Sequence, residues 1–353
     1  MDYLGLELVC PACRHDLALR GGMPPELRCS ACARAYPIIA GIPDLRLWPD
    51  PYIGMEEDRA KGEKLASECA GLSFADSVEL YYRLTTVVPA FQARAFTRAL
   101  LAAAPRAAHA LEQWEHGTDR TAEATGALDL LEVGCGTAPL LVGAAAKYGH
   151  VAGVDVAFRW LVLARKRLQE AGLELPVLCA CAEALPFPDA MFGRFVLDST
   201  LEHLRDQTRG LEEAQRVMRP RARLFIATPN RRSLGPDPHA GIWAGGWLPD
   251  RVVGAYVRRK GGIPPKRKLL STGELRRGLV RAGFDEVRTF VPEVPAGQRS
   301  GFGPGLRRII DAYNTAVRTP PGRAVLLRIG PLLHAVARKP APPDGPSGAA
   351  GQG

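Results

Sequence analysis

Two pairs of cysteines open the chain: Cys10 and Cys13 in one CxxC turn, then, after a spacer of 15 residues, Cys29 and Cys32 in a second. Each turn brings two sulfurs within about 4 Å of each other, and a tetrahedral Zn²⁺ about 2.3 Å from each sulfur closes the turns into a ribbon. Four thiolates fill every position around such an ion and leave none for a reacting water, so the zinc expected here is structural. With so few apolar residues in the first 45, the metal is expected to supply much of the ribbon's folding energy. A second set of residues suggests different chemistry. The run from Leu128 to Val133 is mostly apolar, Gly134-Cys135-Gly136 turns the chain, and an Ala-rich helix follows. Val151 to Asp155 is then a second apolar run, ending in an acid 23 residues after Glu132. Strand, glycine turn, helix, strand and acid make up the nucleotide-site pattern of a doubly wound sheet. Glycines let the backbone approach a ligand, and an acid at the tip of the second strand, here Asp155 with Val156 beside it, can accept both hydroxyls of a ribose.

The elements that must position these residues are legible around them. The chain has 353 residues, 46% hydrophobic and 24% charged, which is enough for one large or two medium domains and too apolar for a disordered chain. No run of about 18 apolar residues exists, and the stretch from Met1 to Val9 is too short and too acidic for a secretory signal. A cytoplasmic protein, peripheral to a membrane at most, is expected. Its cysteines are then expected to bind metal rather than form disulfides. Residues 52–125 read as a helical linker or lid, notably 74–104, where Leu80, Leu84, Val87, Phe91 and Ala95 recur at helical spacing with a kink expected at Pro89. Residues 105–127 read as a loose connection.

The cysteine segment continues as Tyr36-Pro-Ile-Ile-Ala-Gly41-Ile-Pro43, and this end of the ribbon resembles the zinc-ribbon protein that activates tRNA and release-factor methyltransferases. The resemblance covers about the first 48 residues. The glycine segment is similar to the first motif of class I S-adenosylmethionine (SAM) methyltransferases. Glu132 matches that motif's acid, Gly134 and Gly136 its first two glycines with Cys135 between them, and Ala138 stands for the third, a place read as serving close packing. Cys179 to Asp189 resembles the segment that reads adenine, with Cys181 where an aspartate is usual and the backbone of Ala182 and Glu183 still able to serve. Phe192–Asp198, Ser199 to Leu204 and Leu224–Asn230 follow in the family's order as the fourth strand, its turn and the fifth strand. The resemblance implies SAM as co-substrate and the fold class: α/β, a Rossmann-like seven-stranded sheet preceded by a small zinc ribbon and a helical segment. Residues 126–339 form the methyltransferase domain, with insertions at about 231–268 and 295–331, and the tail from Pro340 is expected to be disordered.

Methyl transfer from a sulfonium is an in-line displacement, so the protein mainly brings a nucleophile within about 3–3.5 Å of the methyl carbon. A hydroxyl acceptor calls for a base, and His203, just after the fourth strand, is the first candidate; His239, in the loop after the fifth, is the second. Ser199 stands where some metal-dependent relatives carry a glutamate, so no catalytic metal is expected. The fourth strand is not followed by the Asn/Asp-Pro-Pro-Tyr/Phe motif used on planar nitrogens. The segments resemble ubiquinone-biosynthesis O-methyltransferases and small-molecule relatives, which implies a small or lipid-linked acceptor methylated at oxygen. An rRNA or tRNA methyltransferase is the alternative, since one ribosomal family also carries an N-terminal ribbon. A SAM-binding assembly subunit without turnover is a third reading, suggested by Ala138 and Cys181.

The net charge of +9 is unevenly spread: residues 1–50 carry −1, 51–220 carry −5 and 221–353 carry +15. The surplus lies on the acceptor side and in the hairpin insertion, which suits an anionic acceptor or membrane face. Within 295–331, Leu306, Ile309, Ile310, Tyr313 and Val317 form one helical stripe beside arginines, the pattern of a peripheral membrane contact. Ser271 to Phe284 reads as a capped amphipathic helix leading into strand six, and Leu332 to Lys339 as strand seven, expected antiparallel at the sheet's edge.

Overall fold

The computed structural model describes residues 1–115, 130–237, 240–301 and 303–341. Short strands β1 (Asp2–Tyr3) and β2 (Leu6–Glu7) form a hairpin, and β3 (Leu17–Arg20), β4 (Glu26–Cys29), β5 (Ala35–Ile39) and β6 (Ile42–Pro43) pair antiparallel in chain order. The first CxxC turn precedes β3 and the second closes β4.

Four helices follow: α1 (Met55–Glu68), α2 (Phe74–Leu84), α3 (Ala90–Leu101) and α4 (Ala103–Glu115). The expected kinked helix over 74–104 is in fact two helices, because the chain breaks at Thr85 and Pro89 serves as the N-cap of α3 rather than as a kink within one rod. Residues 105–115 are helix, not a loose connection. Pro105 lies in the first turn of α4, where a missing N–H costs nothing, and Ala107, Leu111 and Trp114 bury one face at i, i+4 and i+7.

The main sheet is built from β7 (Leu130–Val133), β8 (Val151–Asp155), β9 (Val177–Cys179), β10 (Phe192–Asp198) and β11 (Met218–Pro229). Between them run α5 (Pro139–Ala145), α6 (Phe158–Glu170) and α7 (Gln207–Val217). The chain then adds α8 (Asp250–Arg259), α9 (Thr272–Arg281), β12 (Asp285–Phe290), α10 (Ala296–Ser300), α11 (Pro304–Arg318), α12 (Pro320–Ile329) and β13 (Leu332–Arg338). Among the described residues the sheet has seven strands in the order β12-β13-β11-β10-β7-β8-β9, all parallel except β13. This is the Rossmann-like sheet expected, with one correction. Strand seven, β13, lies between β11 and β12, and strand six is the edge. Its residues Leu333 to Ala337 are buried on both faces, which an edge position would not give. The sheet order reverses between β7 and β10, the place where such sheets bind ligands at their C-terminal strand ends.

Helices α1 and α2 pack on α6. A Cβ on Gly62 would lie 2.2 Å from the Phe158 ring, so only glycine lets α1 approach this closely. Trp114 stacks on Phe225 at 5.8 Å and donates its indole N–H to Nδ1 of His334 at 3.1 Å. Burial pushes the His334 imidazole down to about 3, so it remains a neutral acceptor inside the core.

The ribbon is docked on this sheet. The Leu45 N–H donates to the Cys179 carbonyl at 2.7 Å and the Val9 N–H to the Pro186 carbonyl at 3.0 Å, and Asp44 bridges in parallel to Cys179, continuing the sheet beyond β9. Leu6, Leu8, Leu17, Leu27, Tyr36 and Leu45 share one core with Leu131, Leu178 and Phe187. At about 1.5–3 kcal/mol per fully buried side chain, this contact is comparable to what a structural metal supplies. Apolar contacts with the next domain therefore add to the ribbon's stability beside any metal.

Candidate functional site

A cavity of about 730 Å³ opens at the C-terminal ends of β7, β8, β9 and β10. The strand-ending turns Val133 to Thr137, Asp155 to Ala157, Ala180 to Glu183 and Ser199 to Arg205 supply its floor. Of the residues expected at a cofactor, Gly134, Gly136, Asp155, Val156, Cys181, Ala182, Glu183 and Ser199 line this one cavity, together with His203. Glu132 and Cys135 are not among the described residues lining it. Cys135 turns into the sheet, where its sulfur would lie 2.8 Å from a Cβ placed on Gly153. Leu128, Asp129 and His239 lie outside the described residues, so the second base candidate has no place in this geometry.

The turn after β7 owes its shape to conformations that favour glycine. Gly134 has φ +79°, and a Cβ there would fall 2.0 Å from the Thr200 hydroxyl, so its bareness makes room for a side chain of the cavity wall. A Cβ on Gly136 would meet nothing within 4 Å, so the backbone itself faces the open space. Ala138, read as a packing position, has φ 59° and caps α5. The family's glycine is suited to this place by its left-handed backbone, which alanine adopts at a cost of roughly 1 kcal/mol. Ser199, at φ 52°, is a second non-glycine residue held in that region at the cavity floor.

The Asp155 carboxylate accepts from the N–H groups of Gly136 and Ala157, both at 2.8 Å. Burial pushes its carboxyl up to about 6 despite these donors. Glu132 lies beneath, and burial, then the nearby charges of Asp198 and Asp155, push its carboxyl well above the usual range. Its Oε2 is buried without a hydrogen-bond partner among the described residues. Asp155 at a strand tip and a bare glycine backbone in the cavity wall fit a ligand that carries a ribose. The His203 Nδ1 lies 3.2 Å from the Lys266 carbonyl, which can only accept. The proton therefore sits on Nδ1, and Nε2 is the basic nitrogen.

Sequence reasoning placed the insertion with Lys266 to Lys268 on the acceptor side of the sheet but missed the ribbon's exit, which supplies the rest of the cavity's outer wall. Trp48 to Tyr52, from the exit of the ribbon, and Lys266 to Lys268, from the insertion after β11, close it from opposite ends of the chain. They meet directly: the Lys266 N–H donates to the Tyr52 hydroxyl at 2.7 Å. The thiol of Cys181, which stands where an adenine-binding aspartate is usual, donates to the Trp48 carbonyl at 3.5 Å, and burial pushes it up to about 11. The exit segment is anchored by buried charge. Arg46 bonds Asp44 and Asp58, each at 2.7 Å, and the Val156 carbonyl at 3.0 Å, while Arg159 bonds Asp58 at 2.8 Å and Asp50 at 3.2 Å. A charge cluster with a buried arginine at its centre was the signal available, but in sequence these residues look like ordinary surface charges.

The sulfurs of Cys10, Cys13, Cys29 and Cys32 lie within 4.8 Å of one another, with Cys10–Cys32 at 3.6 Å and Cys13–Cys29 at 3.4 Å. Sulfurs about 2.3 Å from a common tetrahedral ion would be about 3.8 Å apart, so the set fits zinc. Among the described residues no helix is long and apolar enough to cross a membrane. In the 295–331 insertion, Ile310 and Val317 are buried while Leu306 and Ile309 are exposed.

Residues 131–226 match the family model described as a methyltransferase domain. The ubiquinone/menaquinone biosynthesis C-methyltransferase UbiE of Laribacter hongkongensis is 33% identical over 116 residues, 32% of this chain and 48% of that protein. The demethylmenaquinone methyltransferase of Thermus thermophilus is 34% identical over 96 residues, 27% of this chain and 44% of that protein. The chain thus spans about half the length of the curated relatives it matches. Among solved structures, a phosphoethanolamine N-methyltransferase from Haemonchus contortus overlays with a TM-score of 0.44 at 16% identity, covering 67% of this chain and 52% of that one. Behind its cysteine ribbon, the chain carries over residues 131–226 a segment that matches a methyltransferase domain, set in a Rossmann-like seven-stranded sheet.

Proposed function

We propose that the chain methylates a small hydroxylated aromatic acceptor, with SAM as methyl donor and His203 as base. The observation that carries this reading is the convergence of Gly136, Asp155 and His203 on one cavity walled by Trp48, Tyr52 and Trp160. Bound SAM supplies an electrophilic methyl on a sulfonium. The His203 Nε2 takes the acceptor's hydroxyl proton, the negative charge spreads into the ring, and the ortho carbon or the oxygen displaces the sulfur. If carbon attacks, that carbon's proton passes to solvent as the ring is restored, and the His203 imidazolium returns its proton to the oxygen. The sequence reading favoured oxygen; the Laribacter relative is named for transfer to carbon, and carbon therefore takes first place here. The test combines calorimetry with SAM and its demethylated product, and labelled-methyl transfer to a panel of quinols. No measurable affinity for either cofactor form would overturn the reading, and an O-methyl product would return the transfer to oxygen.

Asp155 gives this reading a pH signature. Its ionised carboxylate is the form that accepts from ribose hydroxyls, and its value is raised to about 6. SAM affinity should therefore hold above pH 6 and fall as pH drops below it, by about tenfold per unit once the acid is protonated. A flat profile between pH 5 and 7 in calorimetry would contradict the assignment, and Asp155→Asn should bind weakly throughout.

We also assign a structural zinc to the four cysteines. Elemental analysis should find one zinc per chain, lost in Cys29→Ser, with the melting temperature lowered by at least about 5 °C. Metal-free protein melting at the same temperature would refute it.

A further inference from the structure

We propose that the turn Gly245–Trp247 and helix α8 form a docking face for an anionic lipid surface, set beside the mouth of the cavity. The turn and helix expose large apolar side chains: Trp243 is 73% accessible, Trp247 57% and Val252 45%. Val252 and Tyr256 stand at i and i+4 on α8 and so share one face, with Leu248 exposed just before the helix. The adjoining face, with Val253 and Val257, is buried against the protein and leaves Val252 and Tyr256 exposed beside it.

The charge around the stripe selects the partner. Residues 240–268 hold seven basic side chains and one acid, and that acid, Asp250, lies 3.5 Å from Arg267. Arg251, Arg258, Arg259 and Lys260 are exposed along α8. Tryptophan and tyrosine between cations suit the headgroup region of an anionic bilayer, where the ring is half immersed and the cation meets phosphate. Bases of RNA would also stack on tryptophan, but Leu248, Val252 and Ile263 present aliphatic surface that stacking does not reward and lipid does. The face is linked to the cavity. The Gly245 turn rests on Asp237, where a Cβ on Gly245 would lie 2.9 Å from that side chain. Asp237 pairs with Arg267, which is 2% exposed and forms part of the cavity wall. A surface held by this face therefore lies next to the site's outer wall.

The proposal does not depend on methyl transfer, so its test needs no substrate. The full chain, zinc loaded, is sedimented with phosphatidylcholine vesicles with and without roughly a third phosphatidylglycerol. Binding to the anionic vesicles should be at least about 100-fold tighter, since each basic side chain at such a surface contributes about fivefold. It should weaken as salt rises. The variant Trp243→Ser/Trp247→Ser/Val252→Glu alters only exposed positions; it should lose that binding while keeping the parent's melting temperature. Equal binding to both vesicles, or none, would overturn the proposal. So would anionic binding that survives in this variant but is lost in Leu306→Ser/Ile309→Ser, or a preference for single-stranded RNA over vesicles.

Discussion

His203→Ala should lose about 10²–10⁴-fold in turnover while binding SAM within about threefold of the parent. The imidazole lines the cavity, and its tautomer is set by the Lys266 carbonyl rather than by the cofactor turns. Removing it should therefore leave the cofactor's contacts in place. Two further variants separate base from scaffold. His203→Asn keeps an N–H able to reach the Lys266 carbonyl but has no basic nitrogen, and it should be as slow as the alanine variant. An acceptor whose hydroxyl is already ionised at the assay pH needs no base and should recover most of the lost rate in either variant. Turnover unchanged in His203→Ala would remove the base from the mechanism, and a loss that the ionised acceptor fails to restore would make His203 a positioning residue.

Arg46→Met should cost about 3–5 kcal/mol of stability, the usual penalty for breaking a buried ion pair from one side. Arg46, Asp44 and Asp58 have side chains with no solvent exposure, so the lost cation leaves two carboxylates behind with only Arg59 and Arg159 to offset them. In urea this amounts to a midpoint lower by about 1–2 M, for a slope of about 2–3 kcal/mol per molar. The loss should depend on pH in a defined direction. Burial alone would raise the Asp44 carboxyl; the Arg46 and Arg59 guanidiniums outweigh it and hold it below the ordinary value of 3.8. A depressed carboxylate contributes stability that is present above its unfolded value and lost as pH falls through its folded one. The gap between parent and variant should therefore be full at neutral pH and narrow below about pH 4. A variant within about 1 kcal/mol of the parent at neutral pH would show that the cluster is solvated in practice.

What could be read in advance depended on whether a residue acts through its neighbours in sequence. The two CxxC turns, the glycine turn after β7, Asp155 and the strand boundaries of β10 were legible because backbone conformation and short spacing suffice for them. The capping box of Ser271 and Glu274 that opens α9 was legible for the same reason. The outer wall was not, since Trp48 and Lys266 come together only through tertiary packing. Ala138 was legible in place but not in reason, because its positive φ appears only once the turn is built. Asp44, Arg46, Asp58 and Arg159 were the hardest: four charges scattered over more than a hundred residues carry no periodicity, and nothing local shows that they will be removed from water together. Strand seven was misplaced at the edge because its alternation with strand six is a matter of sheet order, on which hydrophobic pattern is silent.

The docking of the ribbon also sets a timetable for the nascent chain. Its β-strands leave the ribosome well before the sheet they dock on: the partner of Leu45 is the carbonyl of Cys179, more than a hundred residues later. At about 5–20 residues per second the ribbon waits roughly 7–27 s with its apolar face uncovered. During that interval a metal captured by the four thiolates is the only cross-link the ribbon itself can form early. Zinc supply during synthesis should therefore govern the yield of soluble protein more strongly than it governs the stability of the finished fold.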